Sequence, residues 1–334
     1  MWQQIRYFCW FWLTLIRKAV YIVVQRRKET KRAYRMIAAM EATFNGQFNP
    51  ATKRKIAVSH GIYNPMICDT FCALQQRVTS VDERERYIQY FTCSSLFDDF
   101  TDYHTITPEQ LQAISFNAED YHATSFDERV FQHCHLALKQ YVTDKAAYIK
   151  VTERLYEAQI FSQHQYNSKL DDATIEAITF AKGGNSVLLC SYYLDTPVSA
   201  AEAQCWYTIG TIIQLTNDLY DIWKDLQDNI ATLPNRMTNA YAFEAYFLQR
   251  IQAMKQAIAA LPYGKKQKQH FSLAMAGIYS FGLIAIEQLK HIQGDALQLP
   301  ALNRLPRKAL IVDMEKVRNL TQWFKHVYRH AYSA

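Results

Sequence analysis

Apolar residues recur at three- and four-residue intervals through almost the whole chain, which is the period of amphipathic helices. The polar positions punctuate this pattern where helices begin. Ser80 with Glu83, Thr107 with Gln110, Ser125 with Glu128 and Ser199 with Glu202 each form a capping-box pair just before an apolar run. Pro108 adds a proline at a first helical position. The run from Asp171 to Leu194 also has helical period, but Gly183-Gly184 interrupts it. Two adjacent glycines cost a helix about 1 kcal/mol each relative to alanine, so a break is expected there. No series of short alternating strands appears, and the pattern predicts an all-α protein.

The first turns of the chain have a pattern of their own. On a helical wheel Ile5, Phe8, Trp12, Leu15, Ile16, Ala19 and Val23 share one broad face, opposite Gln3, Arg6, Thr14, Arg17 and Lys18. Unbroken apolar sequence runs only from Tyr7 to Ile16, short of the roughly 20 residues a membrane span needs. No small-residue cleavage site follows it, so a signal peptide is not expected either. Two readings stay open for residues 2–24: a face packed on the protein, or a helix lying on a membrane surface. The expected organisation is an amphipathic helix over residues 1–28 and one helical domain over 29–334.

Composition narrows the class. The chain has 334 residues, enough for a sizeable core, with nine Gly and eight Pro. Seven Cys occur without a C-x-x-C pair, and Cys68 with Cys72 has the spacing of core positions on one helix face. In His133-Cys134-His135 adjacent side chains point about 100° apart, which argues against zinc. The cysteine usage suits a reducing cytoplasm. Net charge is +6, yet the first 35 residues carry nine Lys or Arg against the single acid Glu29, which leaves the remainder at −2. No basic stripe interleaved with aromatics runs through that remainder, so no nucleic-acid partner is expected.

Candidate chemistry sits in two acid clusters. Phe91 to Asp102 reads FTCSSLFDDFTD and stacks Asp98 over Asp102, with Asp99 about 100° round the helix. From Asn217 to Asp225 the chain reads NDLYDIWKD, where Asn217, Asp221 and Asp225 repeat at i, i+4, i+8 with Asp218 beside them. Like charges at this spacing repel and call for a cation. Oxygen ligands suit Mg²⁺, which binds through one or two carboxylates plus substrate phosphates. Between the clusters Lys182 offers a point charge to a phosphate.

These residues resemble the class I isoprenoid-diphosphate enzymes: terpene synthases, prenyl diphosphate synthases and squalene or phytoene synthases. DDFTD resembles that family's aspartate-rich motif, and Asn217, Asp221 and Asp225 resemble its second metal motif. The middle Asp leans toward the prenyl-transferring branches, whereas residues 54–102 are similar in their overall run to bacterial large terpene synthases. The resemblance extends loosely from Arg54 to the C-terminus and includes the glycine break, where these enzymes kink a pocket helix. It implies a single antiparallel helical bundle around a central apolar cavity, with three Mg²⁺ ions held by Asp98, Asp99, Asp102, Asn217, Asp221 and Asp225 as the catalytic set. Diphosphate would be bound by Lys182, Lys224, Arg329 and Tyr332, and the pocket would include Phe91, Phe97, Gly183 and Gly184. Trp206, Tyr207 and Trp223 are further aromatics near the acid helices. Two departures stand out: the family's Arg-Tyr pair appears here as Tyr328-Arg329, and Lys182 replaces a diphosphate-sensing Arg.

The implied activity is that of a Mg²⁺-dependent terpene synthase acting on a prenyl diphosphate. A prenyltransferase of the prenyl diphosphate or squalene/phytoene type is the alternative, and a non-catalytic, membrane-associated helical binding protein is a second. Expected partners are the prenyl diphosphate and, through residues 2–24, a peripheral contact with the inner face of the membrane. A homodimer is left open.

Overall fold

The structure, a computed structural model, describes residues 2–166 and 169–332, with side chains from Phe8 to Ala331. The described residues are helical apart from turns, loops and one isolated bridge between Tyr166 and Ile230. The all-α expectation holds. The chain divides into two compact units, Met1–Tyr148 with Tyr192–Pro197, and Ile149–Ser191 with Val198–Ala334.

The first unit is built on helices α1 (Trp2–Thr43), α2 (Pro50–Tyr63), α3 (Asp69–Leu74), α4 (Val81–Asp102), α5 (Pro108–Phe116) and α6 (Phe126–Tyr141). The capping boxes expected for α4, α5 and α6 all form, with the Ser or Thr side chain accepting from the third backbone N–H and the Glu or Gln bonding back. Pro65 lacks an N–H, and the chain crosses it in a wider π turn, Asn64–Cys68, that joins α2 to α3. Asn45-Gly46, a hairpin signal in β proteins, here ends α1, with Asn45 at φ 48°.

The first helix is continuous through residue 28, where a domain boundary was expected. Its orientation also differs from the wheel. Phe11, Leu15, Ala33, Ile37 and Met40 are buried, whereas Ile16 and Val23, expected on the same face as Leu15, are more than half exposed. Lys18, expected outward, turns in and donates to Thr70 Oγ1 at 2.6 Å, and burial pushes its ammonium down to about 8 against the pull of Asp69. Beside it Tyr21 donates to Asp69 at 2.7 Å, and Asp69 also accepts from the backbone and hydroxyl of Thr79. Further along, buried Glu29 accepts from His60 at 3.0 Å and from Arg84 at 3.3 Å. The wheel ranked faces by hydropathy alone, and these polar partners on α2, α3 and α4 outweighed it. By length and composition the segment Phe8–Thr43 could cross a bilayer, but these contacts tie it to its own unit.

The second unit contains most of α7 (Lys145–Ser162), then α8 (Asp172–Leu189), α9 (Ala200–Gln227), α10 (Leu233–Arg236), α11 (Ala240–Ala259), α12 (Lys265–Gln293), α13 (Arg307–Leu310) and α14 (Val317–Tyr332). The Ser199–Glu202 box opens α9 as expected. Trp206, Phe247, Phe271 and Tyr279 fill the core, and α12, the other helix long and apolar enough for a span, is mostly buried there.

The expected break at Gly183-Gly184 does not occur, since α8 is unbroken to Leu189 and is followed by a 3₁₀ turn, Cys190–Tyr193. The glycines serve contact instead. A Cβ on Gly210 of α9 would lie 2.2 Å from the Gly183 carbonyl oxygen, and one on Gly184 would lie 2.4 Å from the Tyr207 ring. The backbones of α8 and α9 touch, and that gain offsets the glycine propensity cost. Replacing Gly210 by Ala is therefore expected to destabilise by about 1–3 kcal/mol or more, although the same change in an exposed helix stabilises by about 1 kcal/mol. Urea unfolding of the variant measures it; a gain in stability would refute the contact.

Candidate functional site

The first acid cluster occupies the last turn of α4, where unpaired carbonyls give the helix its negative end. Three carboxylates there add to an already unfavourable field. Lys55 of α2 forms an ion pair with Asp98 at 2.5 Å, and Thr52 donates to Asp99 at 2.5 Å. Asp102 is exposed. A residue that sequence spacing did not mark joins this end: Asp127, in the first turn of α6. Burial, then the charges of Asp99 and Glu128, raises its carboxyl above the usual range. Only tertiary packing brings Asp127 to Asp99, 28 positions earlier, so no local pattern could have found it.

The second cluster lies on α9, where its members differ in burial. Asn217 is exposed, whereas Asp218 and Asp225 are 7% and 8% exposed. With Asp221 at the solvent rim they form a stripe at i, i+3, i+7, the natural period of one helix face. Asp218 accepts from Gln214 at 2.8 Å and, at the long distance of 3.5 Å, from Thr179 of α8. Burial pushes its carboxyl up to about 6, with the Gln214 bond and the charge of Lys182 opposing and Asp221 adding to the rise. Asp225 is driven further, to about 7, by burial and by the charges of Asp218 and Asp221, with Lys224 opposing and Asp228 adding. Asp221 is raised by partial burial, again against Lys224.

Among the other expected residues, Lys182 donates to Ser162 of α7 at 3.2 Å while its charge reaches Asp218. Lys224 is exposed beside the stripe. Arg329 is exposed on α14, where its charge helps hold the His330 imidazole down, after burial and Lys255. The side chain of Tyr332 lies outside the described residues. Phe91 is buried among Tyr63, Tyr90 and His60, and Phe97 is half-buried. Gly183 and Gly184 form the contact with α9.

The second unit also has a groove of about 1130 Å³, lined by residues of α7 and α8 and by Tyr207. Ile160, Phe161, Ala177, Ile178 and Ala181 give it apolar walls, and Arg154, Glu157, His164, Thr174 and Asn185 are its polar members. Of the aromatics near the acid helices, Tyr207 lines this groove, Trp206 is core, and Trp223 lies under the Arg307 guanidinium at 5.2 Å.

Among the described residues no group of three or more His, Cys, Asp or Glu side chains is gathered closely enough to hold a metal ion by itself. Side chains one turn apart on a helix start about 5–6 Å apart at Cβ, so a helix can offer an ion two carboxylates but not a closed cage. Mg²⁺ asks for less from the protein, one or two carboxylates with phosphate and water completing the octahedron. Asp221, one turn from both Asp218 and Asp225, can pair with either of these buried carboxylates to meet that demand. No family model and no curated protein matches this chain.

The raised Asp225 carboxyl makes a signed prediction. A folded-state value above the unfolded one means that the native state holds its proton more tightly, so stability falls as pH rises from about 4 through about 7. Asp225→Asn removes that loss. It is expected to stabilise the protein by about 1–3 kcal/mol at pH 8 and by less at pH 5, as measured by denaturation at the two pH values. An equal effect at both would show that the carboxyl is not raised.

Proposed function

We propose that the protein is a Mg²⁺-dependent class I enzyme that ionises a prenyl diphosphate and converts the resulting carbocation to a terpene. The observation that carries this reading is the placement of two buried carboxylates on one face of α9, with Lys182 of α8 near Asp218 and an apolar groove lined in part by α8. A structural ion pair would match each acid with a cation. Here three Asp on the stripe are met by Lys182 and the exposed Lys224.

On this reading Asp218 and Asp225, with Asp221 at the rim, would hold Mg²⁺ in the second unit. The metal would stabilise the negative charge that develops on the diphosphate as its carbon–oxygen bond breaks. Lys182 adds a fixed positive charge toward the same oxygens. The apolar side chains of the groove would pack along the prenyl chain, and the electron-rich face of Tyr207 could lie against positive charge.

Purified protein incubated with Mg²⁺ and C10 to C30 prenyl diphosphates, followed by gas chromatography and mass spectrometry, tests the reading. Turnover should vanish with EDTA and return with Mg²⁺. Asp218→Asn and Asp225→Asn should each lower it by at least about 100-fold while the fold is kept, because a ligand is lost. Diphosphate and Mg²⁺ together should raise the melting temperature more than either alone. Full activity in both variants would refute the site. A joined product from two substrates would assign the protein to chain-joining transferases, and neither turnover nor joint stabilisation would favour the binding protein.

A further inference from the structure

Opposite its buried face, α1 exposes a run of aliphatic side chains. Leu13, Ile16, Val20, Val23 and Val24 are 52%, 56%, 58%, 53% and 44% exposed. At 100° per residue they fall within an arc of about 100°, and they extend about 17 Å along the helix. Continued toward the C-terminus, the same arc carries Arg27 and Lys31, with Arg35 at its edge, all exposed. Along its flank runs a groove of about 770 Å³ walled by Lys28, Lys31, Arg32, Arg35 and Arg84. Glu29 is the single acid in its wall, and that carboxylate is buried and already bonded to His60 and Arg84.

An aliphatic arc that grades into cations along one helix matches the boundary of a bilayer, acyl chains first and headgroups beside them. A second copy of the chain packed in parallel would bring two rows of cations together. Crossing the bilayer would require Lys18, Tyr21 and Glu29 to leave Thr70, Asp69 and His60. We propose that α1 docks the protein in-plane on an anionic lipid bilayer, its aliphatic arc entering the acyl boundary and its Lys28–Arg84 groove receiving headgroup phosphate. This surface shares no residue with the carboxylate sites, and its test reads binding rather than turnover.

The full chain should sediment with vesicles of phosphatidylglycerol and phosphatidylcholine at 100 mM NaCl, bind phosphatidylcholine alone at least about tenfold more weakly, and be released by 500 mM NaCl or alkaline carbonate. Val20→Glu with Val24→Glu should lower vesicle affinity at least about tenfold. Arg27→Glu with Lys31→Glu should lower it by a similar factor, each basic residue being worth about fivefold at an anionic surface. Both variants should keep the wild-type circular dichroism and melting temperature, because the changed side chains point to solvent. Equal binding to both vesicle types, or undiminished binding by either variant, would overturn the proposal. So would retention after carbonate, which marks a spanning helix, or a stable dimer that the valine variant dissociates without any vesicle binding.

Discussion

The contact of α8 with α9 at Gly183, Gly184 and Gly210 is the constraint on which the second unit turns. A single methyl group on Gly210 would overlap the Gly183 carbonyl, so the spacing of the two helices depends on the absence of side chains there. With the backbones in contact, Thr179 and Lys182 are brought to Asp218, and the neighbouring face of α8 is left to form the apolar groove with α7. A wider crossing would place water between Lys182 and the carboxylates and would weaken every charge term at the site.

The molecule treats its buried charges in two ways. In the first unit Glu29 meets His60 and Arg84, and Asp69 meets Tyr21, Thr79 and Lys18, so the desolvation of each carboxylate is answered by hydrogen bonds and opposite charge. Such a network holds one arrangement because any other leaves a buried group unpaired. On α9 Asp218 and Asp225 are buried with less compensation, and their carboxyls rise instead. Burying carboxylates without matching charge costs stability, and such groups are enriched at functional sites. The satisfied network fixes the position of α1, and the unsatisfied stripe carries the proposed chemistry.

Several features were legible in the residues alone. The capping boxes at Ser80, Thr107, Ser125 and Ser199 could be read because a cap depends on neighbours within three positions. The all-α class followed from periodicity for the same reason, since each helix shows its pattern within its own length. The concentration of acids at the end of α4 and in the last turns of α9 was visible as well. Sequence could state that these acids repel one another, but not that Asn217 is exposed while its neighbour Asp218 is buried.

What the chain determined by itself was therefore local: helix starts, helix period, and the places where like charges accumulate. Tertiary structure decided whatever depends on a partner distant in sequence. It turned Gly183-Gly184 from an expected break into a contact, because Gly210 lies across from them. It rotated α1 from its hydropathy ranking, because Thr70, Asp69 and His60 bond its polar side chains. It brought Asp127 to Asp99 from 28 residues away. The physical reason is common to all three: the free energy of a glycine, a lysine or a carboxylate depends on the group it faces, and only packing of distant segments supplies that group.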